Sequence, residues 1–391
     1  MLNFNFQAPT RILFGQGETN KLGKEIRKHG SRVLLVYGGG SIKKSGLYDQ
    51  VVQILADHAI TCIELSGVQP NPRIDSVRQG VTLCRKHQLD FVLAVGGGSS
   101  LDCAKAIAAG VKYEGDPWDF FIGKAFIKEA LPIGSILTLA ATGSEMNPFT
   151  VISNPETGEK LGTGSTRLNP RFSILDPVHT FSVSAEQTAA GTADIMSHVF
   201  EQYFSPTPGT YIQDRMAEAM LKTCIKYGPL AIAEPDNYEA RSNLMWTSSL
   251  ALNGLLSTGK ITDWATHDIE HKLSALYDIT HGLGLAILTP YWMKQVLNEQ
   301  TAAKMATYAR NVWDITETDD MQAALEGIAQ TANFFRSLGI PATFKDIGLN
   351  TDQLTEIAAD VTSKGSLGSF KILTYEDVLN ILQSAYWGTG F

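Results

Sequence analysis

The chain has few cysteines, and none of them has the spacing of a metal finger. Its 391 residues include only Cys62, Cys84, Cys103 and Cys224, with no Cys-x-x-Cys pair. Isolated cysteines of this kind are typical of reduced, buried thiols. The sequence therefore argues against a disulfide-rich secreted scaffold and against a zinc finger.

Long apolar runs and an excess of positive charge are also missing. No stretch approaches the roughly 18 apolar residues that a membrane helix needs, and no leader-like segment opens the sequence. We therefore expect a soluble, cytoplasmic protein. The net charge of −8 disfavours nucleic acid as a partner. No fixed-period repeat or low-complexity tract is present, whereas the length and the 44% hydrophobic content suit two packed domains.

Short apolar runs alternate with glycine turns and amphipathic stretches in the first half of the chain. The run RVLLVY precedes GGGS, and FVLAV precedes GGGSSLDCAKAIAAG. Continuous apolar runs suit parallel strands that are covered on both faces, and the short connections indicate right-handed crossovers through helices. This pattern predicts an α/β, Rossmann-like, mostly parallel sheet domain over residues 1–178.

Other local patterns predict the remaining organisation. The opening FNFQAPTRILFGQG favours a hairpin or edge pair, NPETGEKLG a hairpin turn, and RFSILDP a last strand. After about residue 180 the strand pattern stops, and helical periodicity follows at 213–227, 238–256 and 305–313. We therefore predict a second, all-helical domain over residues 179–391.

A glycine turn that opens a helix is a candidate phosphate site. Gly97 and Gly98 permit close approach of a pyrophosphate, Ser99 adds a hydroxyl donor, and Asp102 and Lys105 follow on the first turns of the helix. A simple tight turn explains one such triplet equally well, since neither triplet has the Gly-x-Gly-x-x-Gly spacing. The recurrence of a second triplet favours dinucleotide binding.

The residues after the first strand of this pattern bear on cofactor choice. Sites for NAD usually place an acidic residue there to bind the ribose 2′-hydroxyl, but this chain has 38–41, GGGS. Lys43 and Lys44 follow, although a lysine pair at a helix start is also typical of a solvated surface. We predict a preference for NADP(H) over NAD(H).

A loop rich in hydroxyl and amide groups lies between two strand-like runs, in ILTLAATGSEMNPFTVIS. Thr138, Thr142, Ser144 and Asn147 can bind a ribose or a nicotinamide amide, or they can simply satisfy a turn.

Imidazoles and a carboxylate are concentrated in the second half. Asp194 and His198 are four residues apart, so a helix would place them on one face. His267, His271 and His281 follow within DWATHDIEHKLSALYDITHGLGLA. An imidazole-rich set with one carboxylate suits Zn(II) or Fe(II) better than Mg(II) or Ca(II), and the choice between zinc and iron stays open.

One alternative interpretation comes from HDIEH, which fits the pattern of inverted zinc peptidases. In that reading His267 and His271 would bind the metal and Glu270 would act as general base. It leaves Asp194, His281 and both glycine turns without a role, and it predicts no nucleotide binding. A non-catalytic metal module is also disfavoured, because closed structural sites are usually rich in cysteine.

Several long motifs, in the same order, resemble the iron-containing (type III) alcohol dehydrogenase family. They are TRILFG, GVQPNPR, AVGGGSSLDCAK, LTLAATGSEMNPFTVIS, ILDP, the Asp-x-x-x-His segment and HDIEHKLSALYDITHGLGLAILTP. The resemblance is strongest to its NADPH-dependent butanol dehydrogenase or aldehyde reductase branch. It implies metal binding by Asp194, His198, His267 and His281, with His271 as a proton relay. The dinucleotide contacts that it implies are Gly39, Ser41, Asn71, Gly97, Gly98, Ser99, Asp102, Thr138, Thr142, Asn147, Lys160 and His179.

The same resemblance implies a reaction. A hydride would pass between NADP(H) and a short-chain alcohol or aldehyde, with the metal polarising the substrate oxygen. It also implies a homodimer, as does the N-terminal strand, because exposed edge strands invite pairing. Met146 and Asn147 depart from the common family residues, which bears on the nicotinamide contacts. Superfamily relatives such as dehydroquinate synthase and glycerol dehydrogenase use a dinucleotide and a metal for other reactions.

Overall fold

A computed structural model describes residues 1–363, 365 and 367–390, which form two compact units. The sheet unit consists of Gln7–Val183 and Pro235–Asn253. The helical unit consists of Met1–Phe6, Ser184–Glu234 and the described chain from Gly254 onward. Among the described helices, none is both long enough and apolar enough to cross a bilayer.

Strands occur only in the first half of the described chain. They are β1 (Arg11–Phe14), β2 (Arg32–Tyr37), β3 (Thr61–Leu65), β4 (Phe91–Gly96), β5 (Ile133–Leu137), β6 (Phe149–Asn154), β7 (Glu159–Gly164) and β8 (Phe172–Leu175). The helices are α1 (Leu22–Ile26), α2 (Ser41–Lys44), α3 (Leu47–Asp57), α4 (Ile74–His87), α5 (Gly98–Val111), α6 (Ala185–Tyr203), α7 (Tyr211–Ala233), α8 (Tyr238–Ala251), α9 (Ala265–Tyr277), α10 (His281–Val296), α11 (Ala302–Trp313), α12 (Asp320–Ser337), α13 (Leu354–Ser363) and α14 (Tyr375–Trp387).

The sheet unit is built on a six-stranded parallel sheet in the order β1-β8-β5-β4-β2-β3. The chain runs from β2 to β3 on one side and then returns to place β4 on the other side of β2. The strand order therefore reverses between β2 and β4, and ligands of open α/β sheets bind at the carboxyl ends of strands at such a reversal. One glycine triplet directly follows β2, and the other begins with the last residue of β4.

The apolar strands are covered on both faces, as their sequences predict. Leu34 and Val36 of β2 pack in one apolar cluster, with α4 and α5. Val33 and Leu35 pack in the other, with α1 and α3. All four are fully buried, and complete burial of one such side chain contributes about 1.5–3 kcal/mol. The predicted Rossmann-like sheet with a helical second part is confirmed.

Of the two alternatives predicted for the opening segment, the hairpin is wrong, whereas β1 does lie at an edge of the sheet, paired with β8. Residues 1–10 have no regular secondary structure, and β1 pairs in parallel with β8, from Arg11 opposite Phe172 to Phe14 opposite Leu175. Local alternation indicates a strand, but it carries no information on a partner that lies far along the chain. The predicted hairpin turn at NPETGEKLG is confirmed, since it joins antiparallel β6 and β7 and Asn154 pairs with Glu159.

The helical unit is organised around α6. The Ser184 hydroxyl caps its first turn by accepting a hydrogen bond from the Gln187 amide at 3.2 Å. From Thr188 to Tyr203 every residue of α6 is buried, and this helix packs against α7, α9 and α10. The predicted helix 238–256 ends at Ala251 as α8 and belongs to the sheet unit.

Candidate active site

Two of the predicted ligands lie on one face of α6. Asp194 and His198 are one helical turn apart and are 2% and 4% exposed. The His198 Nδ1 atom lies 3.6 Å from the Asp194 Oδ1 atom. The helix thus directs a carboxylate and an imidazole to the same buried point.

Helices α9 and α10 bring three further imidazoles to this point. Asp194, His267 and His281 each offer one ligand atom, and these atoms lie within 4.8 Å of one another. The His267 ring stacks on His198 with centroids 4.7 Å apart. His271, one turn beyond His267 on α9, lies beside His281 with ring centroids 5.5 Å apart. We call these five side chains the histidine cluster.

Each of two imidazoles in the histidine cluster is backed by its own buried glutamate. Glu201 Oε2 is hydrogen-bonded to Nδ1 of His267, and Glu270 Oε2 to Nδ1 of His281. Both glutamates are almost completely buried. A carboxylate on Nδ1 holds the proton there, so the lone pair of Nε2 faces the opposite side of the ring. This engagement of Glu270 also argues against its use as the base of a peptidase.

The atoms at the centre of the histidine cluster fit a metal ion. The buried Nε2 of His267 and Nδ1 of His198 have no hydrogen-bond partner among the described residues. Buried polar atoms are normally satisfied, so two such nitrogens beside a carboxylate suit a cation. Imidazole nitrogens with one carboxylate oxygen are a donor set for Zn(II) or Fe(II). Burial lowers the pKa of His198 far below its usual value, which keeps the ring neutral as a ligand must be.

A glycine sets the approach of the helix that carries His281. A side chain on Gly282 would place its Cβ atom 2.1 Å from the carbonyl oxygen of Ala190 on α6. Only glycine allows α10 to begin so close to α6. Trp264 precedes α9 with a φ of +71°, a strained conformation for a bulky residue, and its ring lies 5.4 Å from that of His267.

In the sheet unit, most predicted dinucleotide contacts lie where parallel strands end, and these ends share one edge of the sheet. Gly39 and Ser41 follow β2, the residues Gly97, Gly98 and Ser99 follow β4, and Thr138 follows β5. Gly97 caps α5, and the amide of Thr138 donates to the carbonyl of Gly96 at 3.0 Å. The structure therefore brings both glycine turns and the hydroxyl-rich loop together.

The side chains of Asp102 and Asn147 make contacts within the protein. Asp102 accepts from the Ser144 hydroxyl at 2.6 Å and from the Val151 amide at 2.9 Å. Asn147 Oδ1 accepts from the Phe149 amide at 3.0 Å. These two residues thus hold the chain beside the glycine turn, and a direct contact with dinucleotide stays a prediction for each.

The remaining predicted dinucleotide contacts lie on other segments of the sheet unit. Asn71 follows β3 and has a φ of +51°. The next residue, Pro72, accepts from the Ser153 amide at 2.8 Å, and Ser153 pairs with Lys160 in the hairpin. His179 follows β8, and its Nε2 lies 2.8 Å from the Thr19 hydroxyl. Thr142 packs directly against the second glycine turn, since a Cβ atom on Gly98 would lie 2.5 Å from its side chain.

The sequence-based prediction did not identify Glu201, and it gave Glu270 only the role of a peptidase base. The sequence offers only a weak signal for Glu201, because Asp194, His198 and Glu201 are spaced four and three residues apart on one helix face. A carboxylate at that spacing resembles any solvated helix residue until its burial is known.

A parallel sheet with glycine turns at its reversal point and a buried histidine cluster suit a protein that binds a nucleotide and a metal ion. Comparison with known proteins agrees. Residues 9–177 match the family model "iron-containing alcohol dehydrogenase", and residues 188–386 match "Fe-containing alcohol dehydrogenase family, C-terminal".

Similar proteins match over nearly the full length. A Clostridium acetobutylicum protein named NADH-dependent butanol dehydrogenase A is 54% identical, with 99% of this chain and 100% of that protein covered. The NADPH-dependent aldehyde reductase YqhD of Escherichia coli is 41% identical, with 98% and 100% covered. The crystal structure of NADH-dependent butanol dehydrogenase A from Thermotoga maritima is 43% identical, with a TM-score of 0.95 and 99% of both chains covered.

The chain belongs to the iron-containing alcohol dehydrogenase family, which confirms the resemblance read from its motifs. It is an NAD(P)-dependent oxidoreductase acting on CH–OH donors, in a family that uses a divalent metal.

Proposed function

We propose that the protein is a metal-dependent alcohol dehydrogenase or aldehyde reductase that transfers hydride between NADP(H) and short-chain alcohols or aldehydes. Residues 1–178 would bind the dinucleotide, and residues 179–391 would bind the metal and carry out catalysis. The observation that carries this proposal is the histidine cluster, in which buried imidazole nitrogens without hydrogen-bond partners converge on Asp194.

Asp194, His198, His267 and His281 would hold one Fe(II) or Zn(II) ion. An ion bound there would supply Lewis acidity toward the oxygen of the substrate, while the nicotinamide would carry the hydride. Glu201 and Glu270 keep protons on Nδ1 of their histidines, and this leaves Nε2 free to bind the ion.

His271 would exchange a proton with the oxygen of the alcohol. It is half-buried, and its ring lies 6.1 Å from that of His267 and 5.5 Å from that of His281. An imidazole titrates near neutral pH and can therefore give or take a proton during turnover.

The preference for NADP(H) is supported by the charges near the first glycine turn. Glu64, near the end of β3, is a neighbouring carboxylate, but both of its oxygens are engaged within the protein, because each accepts a hydrogen bond at 2.6 Å, from Tyr37 and from Tyr48. Lys43 Nζ lies 4.5 Å from the centroid of the Tyr48 ring. Lys43 is exposed and adds positive charge beside Ser41, where a 2′-phosphate would need it. Similar proteins are named for both cofactors, one for NADH at 54% identity and one for NADPH at 41%.

We further propose a cytoplasmic homodimer. All four cysteines are free thiols, as in a reducing compartment. Strand β1 lies at an edge of the sheet, and Phe14 on it is 39% exposed. An edge strand with an exposed aromatic residue favours pairing with a second copy. Light scattering that gives a monomer mass would reject the dimer.

An absorbance assay tests the proposed reaction. Oxidation of NADPH and of NADH is followed after addition of butanal, with and without a chelator. We expect chelator-sensitive oxidation, faster with NADPH at low concentration. A clear preference for NADH would reject the cofactor assignment alone. If neither dinucleotide is consumed after Fe(II) or Zn(II) is restored, another reaction of the superfamily would have to be considered.

A further inference from the structure

Lys105 is a buried cation for which the proposed chemistry has no use. It lies on the second turn of α5, its side chain is fully buried, and it forms no ion pair among the described residues. An apolar side chain of similar length would fill this space without the cost of removing a charge from water. The carboxylates of Asp102 and Glu145 act on this charge only from beyond ion-pair distance. A buried lysine kept without a direct ion pair therefore points to a specific task.

The hydrogen bonds of Lys105 account for all of its donors. Its Nζ atom donates to the Asn147 carbonyl at 2.8 Å, to Asn147 Oδ1 at 3.0 Å and to the Phe149 carbonyl at 2.8 Å. An ammonium group has three N–H donors and no acceptor. The three oxygens therefore match the charged form, whereas a neutral amine has two N–H donors and would lose one of these hydrogen bonds.

These contacts fix the loop of residues 138–148 that joins β5 to β6. Asn147 Nδ2 reaches back to donate to the Thr142 carbonyl at 3.3 Å, so Lys105 stabilises a crosslink across the loop. Asp102, one turn before Lys105 on the same face of α5, holds Ser144. One helix thus carries the glycine turn at its start and two anchors for the adjoining loop.

We propose that Lys105 is a positioning residue that holds the loop 138–148 in the conformation that receives the dinucleotide. The inference rests on the proposed function, in which this loop and the glycine turn of α5 form one binding surface. Lys105 would act through Asn147 and the main chain, without touching the dinucleotide. Its loss would loosen the loop, and part of the binding free energy would be spent on ordering it.

The test replaces Lys105 by methionine and measures the Kd of NADPH and NADH by fluorescence titration, together with metal content and the KM for butanal. We expect the Kd of both dinucleotides to rise about tenfold, the effect of roughly one net hydrogen bond, while metal content and the KM for butanal stay unchanged. A Kd within twofold of wild type would overturn the proposal. If the wild-type protein binds neither dinucleotide, the proposed function itself fails.

Ile107→Ala is the matched control. Ile107 is on the same helix, is fully buried, and packs against Gly80 of α4 on the side away from the loop. This variant should lower Tm by creating a cavity and leave the Kd of NADPH unchanged. A comparable weakening of NADPH binding in this control would show a general effect of helix damage and would overturn the specific role of Lys105.

If Lys105→Met does not fold, the pH dependence of dinucleotide binding to the wild-type protein tests the proposal instead. Burial lowers the pKa of Lys105 to about 8, opposed by the charges of Asp102 on its own helix and Glu145 on the loop. The ammonium form is therefore lost as the pH rises through this value. Weaker dinucleotide binding above pH 8 would support the proposal if the Glu145→Gln variant shows the same weakening, because Glu145 could then not be the group that titrates. A flat profile would overturn it.

Discussion

Replacing Glu201 by glutamine should weaken metal binding strongly, although the side chain barely changes in size. The Glu201 carboxylate accepts from Nδ1 of His267, from the Thr266 amide at 2.7 Å and from the His267 amide at 3.1 Å. A glutamine has one acceptor oxygen, so its amide N–H group must face one of these donors. Where this N–H group faces the imidazole of His267, it favours the tautomer with the proton on Nε2. That proton occupies the lone pair with which Nε2 would bind the metal.

The expected magnitude follows from these contacts. Loss of an outer carboxylate typically lowers metal affinity about 10–100-fold, or about 1.4–2.8 kcal/mol. Because Glu201 is 1% exposed, water cannot replace the lost acceptor, and we expect an effect near the upper limit. The same unsatisfied donor should lower the stability of the metal-free protein by about 1–3 kcal/mol.

The assay is competition for Zn(II) against a chromophoric chelator, with Tm measured in parallel. Glu218→Gln is the matched control, because Glu218 is a buried glutamate of the same unit that accepts from Tyr203 at 2.7 Å and from Asn311 at 3.1 Å. Both variants should have a lower Tm, and only Glu201→Gln should lose affinity for zinc. A folded Glu201→Gln variant with wild-type affinity would refute this reasoning.

Three further changes have separate expected outcomes. Gly282→Ala should displace the start of α10, because its Cβ atom would overlap the carbonyl of Ala190. Plasma mass spectrometry should then find less metal per chain, and a normal metal content would contradict this expectation. His271→Ala should lower turnover with butanal about 100-fold at unchanged metal content, and unaltered turnover would remove the proton relay. Lys43→Gln should raise the KM for NADPH more than that for NADH, unlike Lys44→Gln, and equal effects would contradict the charge argument.

Much of the fold could be predicted because burial leaves a pattern in each strand. The apolar runs of β2 and β4 indicate a parallel sheet covered on both faces, and the structure has both strands there. The partner of β1 could not be predicted, because it pairs with β8 far along the chain. The placement of α8 in the sheet unit could not be predicted either, since its periodicity reports a buried face but does not say what covers it.

The candidate site, like the fold, could be predicted only in part. The spacing of Asp194 and His198 predicted a shared helix face, and the structure places His267 and His281 beside it. Glu201 gave no comparable signal, because its function depends on burial and on a hydrogen bond to a distant histidine. The sequence placed Lys105 on the first turns of α5 but did not indicate its burial, since a lysine in a helix is normally solvated.

Metal analysis of the purified protein and of His267→Ala tests the central claim most directly. The account predicts about one Fe(II) or Zn(II) ion per wild-type chain, as expected for a single catalytic site, and little metal in the variant. It also predicts that aldehyde-dependent NADPH oxidation disappears with the metal. Full metal content in a folded His267→Ala protein, or undiminished activity in a metal-free wild-type protein, would contradict the account.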